Sequence, residues 1–289
     1  MNNKEILIKS GLDWDVRTEK TQTLSGIGLD KIALIREDNN KVLGTHSDNY
    51  GVYQNSQLVD LIQKVSSSTG LDIHRGGEFG GGKKVYIQLK SDNLKIGDDR
   101  VEGFVTGINS FDGSASLSFG NSNLTISCTN KFFAAMKTLS KIRHTKNMEL
   151  RIDDICRGVD TLIEEEKVMF NKIIRMSETG MGTVTNLKTK ELKDRVVQTL
   201  FDVNMDVDLD NYLNSNMLST IKKNRISRFY VDLNGELKEK GDNLWGLFSG
   251  VTKYTTHSIS KKDNSENKMF GLYGKKERQI FNDISSLVY

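Results

Sequence analysis

The hydrophobic period of this 289-residue chain changes near residue 150, and that change constrains the fold more than any other feature. Before it, Leu71 to His74 and Lys84 to Lys90 alternate at period two, and Phe104 to Ile108 has the β-branched and aromatic mix of a strand. After it, Ile152, Ile155, Val159, Leu162, Met169 and Ile173 follow helical spacing for about seven turns of 3.6 residues, ending near Met176. Further helices are expected around Leu192 to Leu200, Leu213 to Ile221, Leu244 to Tyr254 and Ile280 to Val288. The fold class is therefore α+β. An antiparallel β-meander flanked by helices occupies residues 1–147, a mainly helical half packs on it over 148–257, and a linker and terminal helix fill 258–289.

Turn chemistry sharpens this outline. The chain has no proline, where average usage of about 5% would give roughly fourteen, so its turns are built from Gly, Asn and Asp. Asp112-Gly113 is a strong hairpin signal because both central residues of such a turn need positive φ. A Gly-Asn-Ser-Asn turn is expected at Gly120 to Asn123, followed by a strand over Leu124 to Cys128. Asn55 is placed to cap a helix running to about Val65, with Leu58, Leu61, Ile62 and Val65 on one face. Thr129 and Asn130 offer cap oxygens to a further helix carrying Phe132, Phe133, Met136, Leu139 and Ile142. That segment holds no acidic residue, but it holds Lys131, Lys137, Lys141, Arg143, His144 and Lys146.

Composition excludes little. Formal charge is +3, so the clustering of cations carries more information than their number. Cys128 and Cys156 have no CxxC spacing and read as buried free thiols of a reducing cytosol. The N-terminus lacks an apolar leader core, and no run approaches the ~20 apolar residues of a membrane span, so a cytoplasmic protein without a membrane partner is expected.

No catalytic constellation stands out. Gly77 to Lys83 (GEFGGGK) matches GxxxxGK, but Lys84 replaces the magnesium-binding hydroxyl and a strand follows where a helix is required. A hairpin loop with an exposed Lys83-Lys84 tip is the expectation. Asp202 to Asp210 lacks the Gly and bidentate Glu of a calcium loop, so it reads as a turn with Asp210 capping a helix. Asp98-Asp99 and Asp153-Asp154 read as turn and first-turn acids, and the four histidines have no zinc spacing. No cofactor is expected. A second basic cluster, Lys222, Lys223, Arg225 and Arg228, interleaves with Phe229 and Tyr230, the composition used to track a backbone and stack bases on single strands.

Several pieces together resemble the "phage/plasmid-like" family, a domain of unknown function found in phages, prophages and plasmids. The matching motifs are Gly11 to Val16 (GLDWDV), Arg36-Glu37-Asp38 before Leu43-Gly44, Tyr50 to Asn55 (YGVYQN) and Gly81 to Val85 (GGKKV). They continue with Gly97-Asp98-Asp99, Asn109 to Ser114 (NSFDGS), Cys128-Thr129-Asn130, Arg143-His144-Thr145 and Leu244 to His257 (LWGLFSGVTKYTTH). The chain departs from that pattern at Phe111, where a His is usual, and at Ser249, where an Asn is usual. The order of helix, meander and helix is also similar to the core of phage single-strand annealing proteins. The resemblance carries no settled activity.

These features lead to an expectation of single-stranded DNA or RNA binding, extending to strand annealing by a homo-oligomer without ATP. Lys83, Lys84, Lys131, Lys137, Lys141, Arg143, His144, Lys222, Lys223, Arg225 and Arg228 would meet phosphates, and Tyr86 or Phe229 would stack. The alternative is a phage accessory or anti-defence protein that binds a host protein; a metal-dependent nuclease ranks behind both.

Overall fold

The computed structural model describes residues 2–97, 99–125, 131–135, 141–145, 152–184, 188–204, 208–215, 218–260 and 264–288. Helix α1 (Asn3–Ser10) opens the chain. Asn2 and Glu5 form its capping box, and Gly11 closes it in the left-handed region at φ 66. Strands β1 (Val16–Gln22), β2 (Gly28–Arg36) and β3 (Val42–Ser47) make a three-stranded antiparallel sheet. Helix α2 (Asn55–Thr69) follows with Leu58, Leu61, Ile62 and Val65 buried, as its spacing requires.

The second sheet has the order β4 (Asp72–Phe79), β5 (Lys84–Ile96), β6 (Asp99–Ser110), β7 (Leu117–Thr125), β8 (Lys131–Ala135). A short β9 (Lys141–Ile142) pairs antiparallel with β7, Ile142 opposite Leu117. The chain does turn at Asp112-Gly113 between β6 and β7, but through a six-residue loop, 111–116, in which Gly113 has positive φ, at 73, and Asp112 does not, so it is not the two-residue turn expected. Beyond it run α3 (Ile152–Glu178), α4 (Thr189–Phe201), α5 (Leu209–Asn214), α6 (Thr220–Lys240) and α7 (Leu244–Lys253). Helix α7 continues into a π-helical turn over Tyr254–Ser258, and α8 (Ser265–Phe270) and α9 (Leu272–Ser285) complete the chain.

Among the described residues of 131–146, the expected basic helix is not present. Its described parts are strands β8 and β9, while Lys137 and Lys146 lie outside the described residues. Adjacent Phe132 and Phe133 suit a strand as well as a helix, and they lie in β8, the hydrogen-bonded neighbour of β7. Nor does Gly120 to Asn123 turn. It lies within β7, because Asn121 Nδ2 donates to the Leu162 carbonyl at 2.7 Å and Ser122 Oγ accepts from Gln88 Nε2 at 2.9 Å. These tertiary partners replace the local bonds that make Asn and Ser turn formers.

Two compact units emerge, and neither is continuous in sequence. Unit 1 comprises Met1–Asp92, Gly103–Ser122 and Met136–Glu165; unit 2 comprises Asn93–Glu102, Asn123–Ala135 and Glu166–Tyr289. The unit 1 core sets α2 against Val85, Ile87, Leu89, Val105 and Phe119. Gly107 lets the helix approach, since a Cβ there would lie 2.8 Å from Ile62 Cδ1. The unit 2 core gathers Ile173, Val197, Phe229, Leu233, Phe248 and Phe281 from α3, α4, α6, α7 and α9. Among the described residues no helix is long and apolar enough to cross a membrane.

Candidate nucleic-acid interface

In unit 1 the sequence motifs converge on the main chain of Phe111. Its amide donates to the Lys83 carbonyl at 2.8 Å, and its carbonyl accepts from His46 Nε2 at 2.8 Å, which places the ring hydrogen on Nε2. Both bonds use backbone, so they hold whichever side chain stands at position 111. The Phe111 ring is buried against Trp14, centroids 5.7 Å apart. Arg36 lies 4.1 Å over the Trp14 ring, donates twice to Asp38 and donates once to Glu78 at 2.6 Å. GLDWDV, RED, the β4–β5 hairpin and NSFDGS thus form one assembly.

On the other side of Phe111 three rings form a column. Tyr50 stacks between His46, at 3.9 Å, and His144, at 5.0 Å, both inclined by 19°. The Tyr50 hydroxyl donates to the Ser110 carbonyl at 2.9 Å, and burial followed by the Asp112 charge keeps it protonated well above its ordinary range. Burial pushes His144 down to about 4, with the charge of His46 adding to the effect. His144 is therefore a neutral ring at pH 7, and it contributes a flat face rather than a cation. Asp112 accepts from the Ser114 amide at 2.9 Å and lies 3.4 Å from Lys84 Nζ. Burial raises the Asp112 carboxyl, but the Ser114 bonds and then Lys84 outweigh it, so it stays below the usual carboxylate range.

The remaining expected residues are dispersed. Lys83 and Arg143 are exposed in unit 1, one beside Phe111 and the other next to His144. Tyr86 is half-buried and stacks on Phe79 at 5.1 Å. Lys141 lies in β9 opposite Ser118. Lys131 belongs to unit 2, as do Lys222, Lys223, Arg225 and Arg228 on α6. Lys222 Nζ reaches the Asp202 carbonyl at 3.4 Å, and Arg228 pairs with Asp232 at 3.7 Å and donates to Ser258. Phe229, read as a stacking ring, is wholly buried in the unit 2 core with Phe201 and Tyr254 around it. Its place on the inward face of α6, next to Ile226 and Leu233, explains the burial. Tyr50, Trp14 and Asp112 were visible only as members of motifs, and His46 only as one of four histidines without zinc spacing, because nothing local says which rings will stack.

Unit 2 holds a second motif assembly around Asp99. Asp99 Oδ2 takes the Lys240 ammonium and the Trp245 Nε1–H, the latter at 3.3 Å. Lys240 lies 3.7 Å from Glu236, which receives Lys253 Nζ at 2.9 Å. Asp99, Lys240, Asn243 and Trp245 line a cavity of about 480 Å³. Among the described residues, no group of three or more His, Cys, Asp or Glu side chains is placed to hold a metal ion.

Comparison with known proteins gives one match. The model of a family described as a domain of unknown function (DUF932) covers residues 42–270. No curated protein and no solved structure matches the chain.

Proposed function

Since the chain belongs to this family of unknown function, whose description carries no activity, we propose from the site itself that the protein binds single-stranded nucleic acid through unit 1. The supporting observation is the Phe111 bridge, which ties the backbone of exposed Lys83 to the His46–Tyr50–His144 column beside exposed Arg143. Cations next to flat rings are what a single strand requires: charges for its phosphates and faces for its bases. Neither ATP nor a metal is needed for such binding. Annealing of complementary strands by a homo-oligomer in the cytoplasm is the fuller form of the proposal.

Fluorescence anisotropy with a labelled single-stranded oligonucleotide tests it. Binding is expected at low salt and weakens steeply as salt rises. Absence of binding at low salt ends the proposal. Lys83→Glu combined with Arg143→Glu is expected to abolish binding while leaving the fold intact, since both side chains are exposed.

One observation favours a second reading. The β1–β2 hairpin ends in exposed Leu24, Ile27 and Leu29, an apolar tip suited to a protein partner. That partner is a second copy under the annealing proposal and a host protein under the accessory reading. Light scattering of Leu24→Ser with Ile27→Ser, and capture from nuclease-treated lysate, separate the two.

A further inference from the structure

We propose that the loop joining β4 to β5, Gly80 to Lys83, is a phosphate-binding subsite; only the identity of the phosphate's carrier rests on the single-strand reading. The backbone is unusual. Gly80, Gly81 and Gly82 follow one another at φ +63, +68 and +94, a run that side-chain-bearing residues do not sustain. Among the described residues, no acceptor is paired with the amides of Gly80, Gly81, Gly82 or Lys83. Successive free amides in a tight turn form a concavity of partial positive charge suited to an anion.

The side chains around the loop are cationic. Lys41 Nζ donates to the Gly80 carbonyl at 2.9 Å and stands 2.0 Å from where a Cβ on Gly81 would be. A Cβ on Gly82 would meet Trp14 at 3.0 Å and Arg36 Nη1 at 3.1 Å. Arg36 is committed to Asp38 and Glu78, and Lys84 to Asp112. Among the described residues, Lys41 and Lys83 have no carboxylate within ion-pair distance and both are exposed. The Lys83 ammonium, and the Lys41 ammonium held only by the Gly80 carbonyl, therefore flank the amides of this loop, of which Gly82 is buried against Trp14 and Arg36.

This is not a nucleoside triphosphate loop, because β5 follows it directly and no helix N-terminus or hydroxyl stands next to Lys83. Two ammoniums and neutral amides suit the single charge of a phosphodiester. The subsite lies beside the ring column, because the Lys83 carbonyl and His46 Nε2 bond the same residue, Phe111.

Titration of the ¹⁵N-labelled full chain with inorganic phosphate tests the subsite directly. The Gly80 to Lys83 amide resonances should shift saturably, and Lys41→Gln should weaken that response about tenfold, the worth of one charge-assisted hydrogen bond. Gly81→Ala, strained and in collision with Lys41, should weaken it similarly. Amides that stay silent, or that respond equally in Lys41→Gln, overturn the subsite whatever the oligonucleotide does. Saturable shifts without oligonucleotide binding leave the subsite standing and remove the single strand as its ligand. Where both are seen, Lys41→Gln should lower the slope of log affinity against log salt by about 0.7, one single-strand phosphate.

Discussion

The two motif assemblies use charge in opposite ways. In the unit 1 assembly, Lys83 is exposed without a carboxylate partner among the described residues and exposed Lys41 is held only by the Gly80 carbonyl, while Arg36 and Lys84 are held by carboxylates. In unit 2 the notable charges are inside and paired. Lys268 and Glu277 are each 1% exposed and 2.7 Å apart, with Thr255 and Thr256 completing the ammonium's bonds, and Lys240 is enclosed by Asp99 and Glu236. Buried pairs are costly to desolvate and contribute geometry more than net stability. They fix how α7, α8 and α9 pack, whereas exposed, uncommitted cations add little to folding and remain available to a ligand. The comparison assigns scaffolding to the unit 2 ions and binding to the unit 1 ions.

The largest test removes one partner of the buried pair. Lys268→Met leaves the Glu277 carboxylate unpaired in the interior and should cost about 3–5 kcal/mol. Adding Glu277→Leu should recover most of that loss. Urea denaturation followed by Trp245 fluorescence in a Trp14→Phe background reads unit 2, and a neutral single variant would break the contrast. Phe229→Ala should cost about 3–5 kcal/mol by the same readout, as a core truncation does, with no change in oligonucleotide affinity that outlasts refolding.

The next effect is in unit 1 and depends on pH. His144 titrates near 4 in the folded chain against 6.5 when unfolded, so between those values the unfolded state carries more protons. Stability from this residue is complete above pH 6.5 and is lost as pH falls toward 4, by up to about 3 kcal/mol. Trp14 fluorescence in a Trp245→Phe background should show the loss, and His144→Gln should flatten the profile in that window. Oligonucleotide binding that strengthened through His144 protonation would contradict its role as a neutral face.

These contrasts were only partly legible in the sequence. Periodicity placed α2, α3 and α4, and Asp112-Gly113 placed the β6–β7 turn, because each signal is local. Helix α1 had its own local signal, Asn2 and Glu5 three residues apart with Gly11 behind, set in a segment too polar to show an apolar face. The 131–146 segment shows the limit: two adjacent phenylalanines and scattered apolar residues fit both periods, and pairing with β7 is a long-range choice. At the site, Lys83 and Arg143 were readable as cations. The burial that neutralises His144, and the packing that turns Phe229 inward, come from residues far away in sequence.

The smallest expected change in stability sharpens the comparison most. Lys83→Gln removes an exposed charge with no carboxylate partner among the described residues, so folding stability should move by less than about 0.5 kcal/mol. Its fold contribution is the carbonyl that accepts from Phe111, and that bond is indifferent to the side chain. Oligonucleotide affinity should nonetheless fall, with the salt slope reduced by about 0.7 for one lost phosphate contact. A charge that contributes nothing measurable to folding yet alters the salt dependence of binding is the signature of the unit 1 arrangement. Lys253→Gln in unit 2 provides the converse, because Glu236 beneath it is fully buried and holds it at 2.9 Å. There, stability should drop and the slope should stay where it was. If Lys83 behaved like Lys253 in both measurements, unit 1 would be scaffold too, and the binding surface would have to be sought among the cations of α6.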